Sequence, residues 1–335
     1  MALERLQALR LADGVATLVF DASGLDALAR DRMEIAVRDT LRGADGVKEV
    51  RVALMADKPA APAGHSHSHA APHSHATPQS PPRVGPRIVA VGSGKGGVGK
   101  STLTANLAVA LARAGRKVGI VDADIYGPSQ PKLLANEDER PRAEDKKLIP
   151  VPSAVGVPVL SMGHLIEAGR AIAWRGPMAG NALSQLIDAE WGDIDLLLVD
   201  LPPGTGDVQL TMLQRFKPAG AVIISTPQDL ALIDAARAMQ LFEAGQVPII
   251  GIVENMAGYE CPHCGEVSDP FGQGGAELAA REKGVAFLGR VPLAMSIRLA
   301  SDAGKPPAAG EGPESDAFAA IAARLGDWLD GNQAG

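Results

Sequence analysis

Aromatic side chains are scarce in this chain. Three Trp, two Tyr and six Phe make up 3% of its 335 residues, while hydrophobic residues make up 46%. Any core must therefore be filled by aliphatic side chains and alanine. Long apolar runs are missing as well: none approaches the roughly 18 residues that a membrane-spanning helix needs. The opening residues, Met1-Ala-Leu-Glu-Arg-Leu6, lack the apolar centre of a secretory signal. A cytoplasmic protein with no membrane partner is expected. There is no basic excess either. The formal net charge is −7, which argues against broad nucleic-acid binding. Cysteine is almost absent: only Cys261 and Cys264 occur, spaced C-x-x-C. In a reducing compartment that spacing points to metal or redox chemistry rather than a structural disulfide.

What the chain does have is one glycine-rich stretch, Gly92-Ser-Gly94-Lys95-Gly96-Gly97-Val98-Gly99-Lys100-Ser101-Thr102. The apolar run Ile88–Val91 leads into it, and an Ala- and Leu-rich helical pattern, Leu103–Ala114, follows. Strand, glycine loop, helix is the setting of a phosphate-binding loop, and Gly94–Ser101 fits G-x-x-x-x-G-K-[ST]. Glycines let consecutive backbone N–H groups turn inward where a Cβ would block the phosphates. The helix N-terminus adds partial positive charge. Lys100 is expected to reach the β- and γ-phosphates of ATP, and Ser101 to ligate Mg²⁺. The same glycines also fit G-x-G-x-x-G of a dinucleotide site, with Asp122 at the ribose position. Only a triphosphate–Mg²⁺ site needs the Lys100-Ser101 pair. Lys95 is a second cation inside the loop, one that a single chain's own site does not require.

Composition divides the chain into three. Residues 1–55 read as a small α+β unit, with strands near Gly14–Phe20 and Gly46–Leu54 and a helix over Leu25–Leu41. Residues 56–86 are Pro-, Ala- and His-rich with no apolar periodicity, and they hold His65, His67, His69, His73 and His75. That composition describes a flexible tether; its imidazoles suit capture of several divalent metals, and a polar tether that meets metal only adventitiously is the favoured expectation. From residue 87 to 335, strands and helices alternate, which predicts an α/β domain with a mostly parallel, doubly wound sheet. Strands are expected at 87–92, 117–122, 157–161, 195–200, 220–225 and 248–253, with a shorter one near 286–288. An acidic amphipathic helix is expected over Asp316–Leu329.

Further chemistry is expected at strand ends, beside the ligand crevice of an open sheet. Val121-Asp122-Ala-Asp124 closes the second strand. Asp124 is placed to orient an attacking water, and Asp122 to act through a Mg²⁺-bound water. Leu196–Asp200 ends an apolar strand in a carboxylate able to hold Mg²⁺, and Pro202–Asp207 follows as a γ-phosphate-sensing loop. Asn255 offers a donor and an acceptor to a purine edge, or equally caps the strand end. Cys261-Pro-His263-Cys264-Gly265 lies in the next loop. Two thiolates are half of a closed tetrahedral site. A two-fold axis would bring the same loop from a second copy. Four thiolates suit a [4Fe–4S] cluster or Zn²⁺; a dithiol redox pair is a third possibility.

The loop Gly94-Lys95-Gly-Gly-Val-Gly-Lys100-Ser101-Thr102 resembles the deviant Walker A loop of the septum-site and partitioning ATPases and the nitrogenase iron protein. In that group the early lysine reaches the partner's nucleotide, which implies the same for Lys95. With Val121–Ser129, Trp174–Met178, Trp191–Asp207, Thr226–Asp229, Gly251–Met256, Cys261–Gly265 and Phe271–Gly275, the chain from about residue 87 to about 330 resembles the Mrp/ApbC-type iron–sulfur carrier ATPases. Leu288–Pro292 and Ile297–Pro306 extend the match. Residues 1–55 are similar to the C-terminal part of a small domain of iron–sulfur assembly factors, without its cysteines. The resemblance implies a homodimer that binds a [4Fe–4S] cluster between the two C-x-x-C loops, hydrolyses ATP slowly and delivers the cluster to apo iron–sulfur proteins, with an assembly scaffold as a donor. It implies nucleotide binding by Gly94, Lys95, Gly96, Gly97, Val98, Gly99, Lys100, Ser101 and Thr102, with Asp124, Asp200 and Asn255 in the roles above. Two other functions fit parts of the pattern. A spatial-organiser ATPase would call for a basic C-terminal amphipathic helix or a DNA-binding surface, and the acidic 316–330 segment argues against the first of these. A zinc-bridged dimeric binding module would use the same cysteines.

Overall fold

The structure is a computed structural model that describes residues 5–12, 15–21, 36–37, 40–41, 49–55, 85–165 and 177–332. The His-rich segment and Trp174–Gly176 lie outside the described residues. The chain divides into two compact units, Met1–Ser80 and Pro81–Gly335.

In the first unit, β1 (Leu6–Ala12) pairs antiparallel with β2 (Val15–Asp21), and β2 pairs parallel with β3 (Glu49–Met55). Ala16, Leu18 and Phe20 alternate along one face of β2 and are buried with Val37, as a half-covered sheet requires. Of the helix expected over 25–41, residues 36–37 and 40–41 are helical and the rest lies outside the described residues.

The second unit is a seven-stranded sheet, all neighbours parallel. Its strands are β4 (Arg87–Ser93), β5 (Val118–Asp122), β8 (Val159–Ser161), β9 (Leu196–Asp200), β10 (Gly220–Ser225), β11 (Ile249–Asn255) and β14 (Phe287–Val291). Their order is β14-β11-β10-β4-β9-β5-β8. Two small antiparallel hairpins leave the sheet: β6 (Arg142–Glu144) with β7 (Lys147–Ile149), and β12 (Tyr259–Glu260) with β13 (Val267–Ser268). The alternation of side chains explains the layering. Ala90, Leu197, Val199, Ala221 and Ile223 face one core, while Val89, Leu196, Leu198, Val222 and Ile224 face the other. Both faces are covered, so the strands read as continuous apolar runs.

Helix Pro313–Gly331 closes the second core with Phe318, Ile321, Ala322, Leu325 and Leu329. These positions recur at three- and four-residue intervals, one stripe of a helix. Asp316, Glu314 and Asp327 stay on the remaining surface or its edge, and the apolar stripe is spent inside the domain. Among the described residues no helix is long and apolar enough to cross a membrane.

The register gathers the chemistry at one edge. Asp200 pairs with Val91 on one side and with Asp122 on the other. Ile224 pairs with Ser93, and Ser225 with Glu254. The C-terminal ends of β4, β5, β9 and β11 therefore lie level, where an open parallel sheet binds ligands.

Candidate nucleotide site and cysteine hairpin

The loop Gly94–Gly99 joins β4 to helix Lys100–Arg113. Gly97 and Gly99 have φ of 79° and 85°, left-handed values that glycine adopts without penalty. Gly94 is required for a different reason: a Cβ there would run into the backbone of Asp234 and Ala235. The loop is thus wedged against helix Asp229–Ala244, and its turn is held from the other side by Asn255, whose Nδ2 donates to the Val98 carbonyl at 2.8 Å.

Two carboxylates face one ammonium at the start of the helix, and a third, Asp122, pairs in register with one of them, Asp200. Lys100, 6% exposed, donates to Asp200 Oδ1, and its Nζ lies 3.9 Å from Asp124 Oδ2. Asp200 is fully buried. Its Oδ2 accepts from Gln130 Nε2 at 2.9 Å, and the same Nε2 donates to the Ser101 carbonyl at 3.0 Å. Asp122 is also fully buried and has four donors: the Asp124 N–H on Oδ1, and the Ser129 N–H, Gln130 N–H and Ser161 hydroxyl on Oδ2. Burial, and then the charge of Asp200, push the Asp122 carboxyl up to about 7; its hydrogen bonds and Lys100 pull the other way. Asp124 caps its own loop, Oδ1 accepting the Tyr126 and Gly127 N–H groups at 3.1 and 3.2 Å.

The Pro202–Gly206 loop lies beside this cluster. Gly204, at φ 85°, donates its N–H to the Ser93 carbonyl at 3.0 Å. Gln209 is buried and staples the loop, donating to the Pro202 and Gly204 carbonyls and accepting the Gly206 N–H. Lys95 is half-buried in the phosphate loop, and among the described residues no carboxylate pairs with its Nζ.

The chain leaves β11 at Asn255 and turns through Met256, a non-glycine residue at φ 60°. It is fastened by Ala257 N–H to the Val291 carbonyl and by Leu293 N–H to the Gly258 carbonyl, and then enters the β12–β13 hairpin. Cys261 and Cys264 sit in the connection of that hairpin, reduced, with Cys264 exposed. The Cys261 N–H bonds the Glu266 carbonyl, and the Gly265 N–H bonds the Cys261 carbonyl. The Cys261 thiol is held below its ordinary range, first by the His263 and then by the Cys264 backbone N–H. Backbone donors aimed at sulfur favour a thiolate, the form that binds metal. Among the described residues no group of three or more His, Cys, Asp or Glu side chains could close a metal site within one chain.

The structure thus brings Lys100, Ser101, Asp122, Asp124 and Asp200 into one cluster, and sets Asn255 against the phosphate loop. The two cysteines form a separate pair, one short hairpin beyond Asn255. No sequence motif marks Gln130 or Gln209. Glutamine carries no motif of its own; the only signal was its place in Pro128-Ser-Gln130-Pro131, just after the strand-end carboxylates.

A glycine loop between a buried parallel strand and a helix, with its lysine held by the carboxylate of a neighbouring apolar strand, defines a P-loop NTPase. The comparisons with known proteins narrow this. A family model described as "ParA: NUBPL iron-transfer P-loop NTPase" matches residues 86–326, and the chain belongs to that family. An iron–sulfur cluster carrier protein of Pseudomonas fragi is 52% identical over 223 residues, 66% of this chain and 78% of that protein. A protein of the same name from Deinococcus radiodurans is 43% identical over 296 residues, 88% of this chain and 79% of its own length. Among solved structures, a nucleotide-binding protein of Archaeoglobus fulgidus in complex with ADP is 42% identical with a TM-score of 0.60, covering 68% of this chain and 89% of that one.

Proposed function

We propose that this P-loop NTPase is an ATP-hydrolysing carrier. Two copies hold a [4Fe–4S] cluster between Cys261 and Cys264 of each, and the cluster is the cargo that they hand to apo iron–sulfur proteins. One observation carries this: a half-complete thiol pair, Cys264 exposed and Cys261 half-buried with its thiol held below the ordinary range, is mounted a few residues beyond the strand end that touches the phosphate loop. The carrier names of the relatives at 43 to 52% identity support it. A Cys₄ set needs two chains, and Lys95, with no carboxylate partner among the described residues, is a second group that calls for a facing copy.

The residues divide the work. The N–H groups of Gly94–Gly99 and the first turn of the helix, with Ser101 and Thr102, cradle the phosphates of ATP. Lys100 leaves Asp200 for the phosphates. The carboxylates fit Mg²⁺, because the Lys100 ammonium already stands in for a cation beside Asp200 and Asp124. Ser101 and Asp200 would hold the ion, which supplies neutralisation of phosphate charge. Asp122 serves the ion at one remove by pinning the Ser129–Gln130 backbone. Asp124 orients the water that attacks the γ-phosphate, and Lys95 stabilises charge on the nucleotide of the facing copy. Asn255 holds the Val98 turn with its amide nitrogen and keeps its carbonyl for the base. The domains follow as an ATPase unit from residue 87 onward, with residues 1–55 a separate small unit and 56–86 its tether.

The visible absorption spectrum of anaerobically purified protein tests the cargo. A broad iron–sulfur charge-transfer band is expected. Zn²⁺, with a filled d shell, would leave the visible region featureless and overturn the proposal.

A further inference from the structure

We propose that Gln130 is a positioning residue for the divalent cation that accompanies the nucleotide, a role that rests on the P-loop reading given above. Its amide is fully buried. Nε2 meets two acceptors, the Ser101 carbonyl at 3.0 Å and Asp200 Oδ2 at 2.9 Å. Two acceptors on one side fix which way the amide points, because a flipped amide would set its oxygen against a carboxylate and a carbonyl. The other end of the amide is therefore an acceptor by necessity. Gln130 Oε1 is buried and, among the described residues, has no hydrogen-bond partner, a condition that folded proteins rarely leave unexplained.

Position supplies the explanation. Gln130 bridges the two groups that would ligate the ion, Ser101 through its backbone and Asp200 through its carboxylate. A water bound to a divalent cation has given its lone pair to the metal and offers only protons. Such a water beside Ser101 and Asp200 is the donor that Oε1 lacks. The residue is itself fixed: its N–H donates to Asp122 Oδ2 at 3.0 Å, which places the buried Asp122 behind it as an anchor. In this arrangement Nε2 keeps Asp200 Oδ2 turned aside, so that Oδ1 faces Lys100 in the nucleotide-free protein and the cation once Lys100 has moved to the phosphates. The ligand is a hydrated divalent cation carried with a nucleoside di- or triphosphate.

The test separates cation from nucleotide. Binding of fluorescent ADP to the full chain is measured in EDTA and across a Mg²⁺ titration, for the wild type and for Gln130→Met, which keeps the volume and removes both polar ends. The expected result is unchanged affinity in EDTA and about a tenfold rise in the Mg²⁺ concentration for half-maximal enhancement, the scale of one hydrogen bond to a charged group. The same Mg²⁺ midpoint in both proteins overturns the role, and so does an equal loss of affinity in EDTA, which marks a purely structural defect. Wild-type binding that is indifferent to Mg²⁺ overturns this role together with the reading beneath it. Should Gln130→Met fail to fold, Gln130→Glu decides. Its extra carboxylate beside Asp200 is expected to enlarge the rise in melting temperature that Mg²⁺–ADP produces, and a rise no larger than that of the wild type counts against the proposal.

Discussion

Lys100 and Asp200 stand 100 residues apart in the chain and share a buried hydrogen-bonded ion pair at the end of β9. The lysine proposed to reach a phosphate is, without nucleotide, the counter-charge of the carboxylate proposed to hold Mg²⁺. Under that proposal substrate and ion replace this pair together. Removing the lysine alone strands a buried charge. Lys100→Met is expected to abolish nucleotide binding and also to destabilise the nucleotide-free protein by about 3 kcal/mol, read from urea unfolding. An unfolding midpoint equal to that of the wild type would show that the pair carries no stability.

Asp124 is 8% exposed and stands at the rim of the same cluster, anchored by backbone donors rather than by Lys100. Asp124→Asn keeps its shape and loses its charge. Steady-state hydrolysis should fall by about a hundredfold, the scale of a lost proton acceptor, while ATP affinity stays near that of the wild type. Hydrolysis at the wild-type rate would remove Asp124 from the water-positioning role.

Asp122 gives a pH signature. Its carboxyl is raised from 3.8 to about 7 in the fold, by burial first and the neighbouring Asp200 second. Between those two values the folded protein holds a proton that the unfolded chain has released, so its contribution to stability falls as pH rises from about 4 to about 7. Asp122→Asn has no such titration. The stability of this variant relative to the wild type should improve from pH 5 to pH 7.5 in nucleotide-free protein, and a difference that is constant with pH would contradict the assignment.

Two glycines of the loop should respond oppositely to one methyl group. Gly94→Ala drives a Cβ into the backbone of Asp234 and Ala235, whereas at Gly96 the nearest atom is Pro203 Cγ at 3.9 Å. Gly94→Ala is expected to cost about 3 kcal/mol, the upper range for overpacking, and Gly96→Ala nearly nothing in thermal melts without nucleotide. Equal melting temperatures would show that the loop can move off helix Asp229–Ala244.

Most of the sheet was legible because its strands are buried on both faces and read as unbroken apolar runs, from Ile88–Val91 to Leu196–Val199. The β6–β7 hairpin was not: it is largely exposed and turns through Asp145 and Lys146 at positive φ, so no periodicity marks it. Lys100, Asp200 and the cysteines announce themselves through motif spacing. The contacts that organise them do not. Gln130 meets Asp200 across 70 residues and Asn255 meets Val98 across 157, distances at which only the parallel register decides who touches whom. Gln209, holding the Pro202–Gly206 loop, is of the same kind.

The most direct measurement of the central claim combines iron and sulfide analysis with light-scattering mass after anaerobic reconstitution. Ligand counting gives two thiols per chain, at Cys261 and Cys264, so about four iron and four sulfide are expected per dimer, as one [4Fe–4S] cluster requires. Cys261→Ala or Cys264→Ala should remove the cluster and leave nucleotide binding largely intact, because the phosphate loop lies apart from the hairpin. A full cluster complement on a monomer, or on the Cys261→Ala Cys264→Ala double variant, would contradict the account.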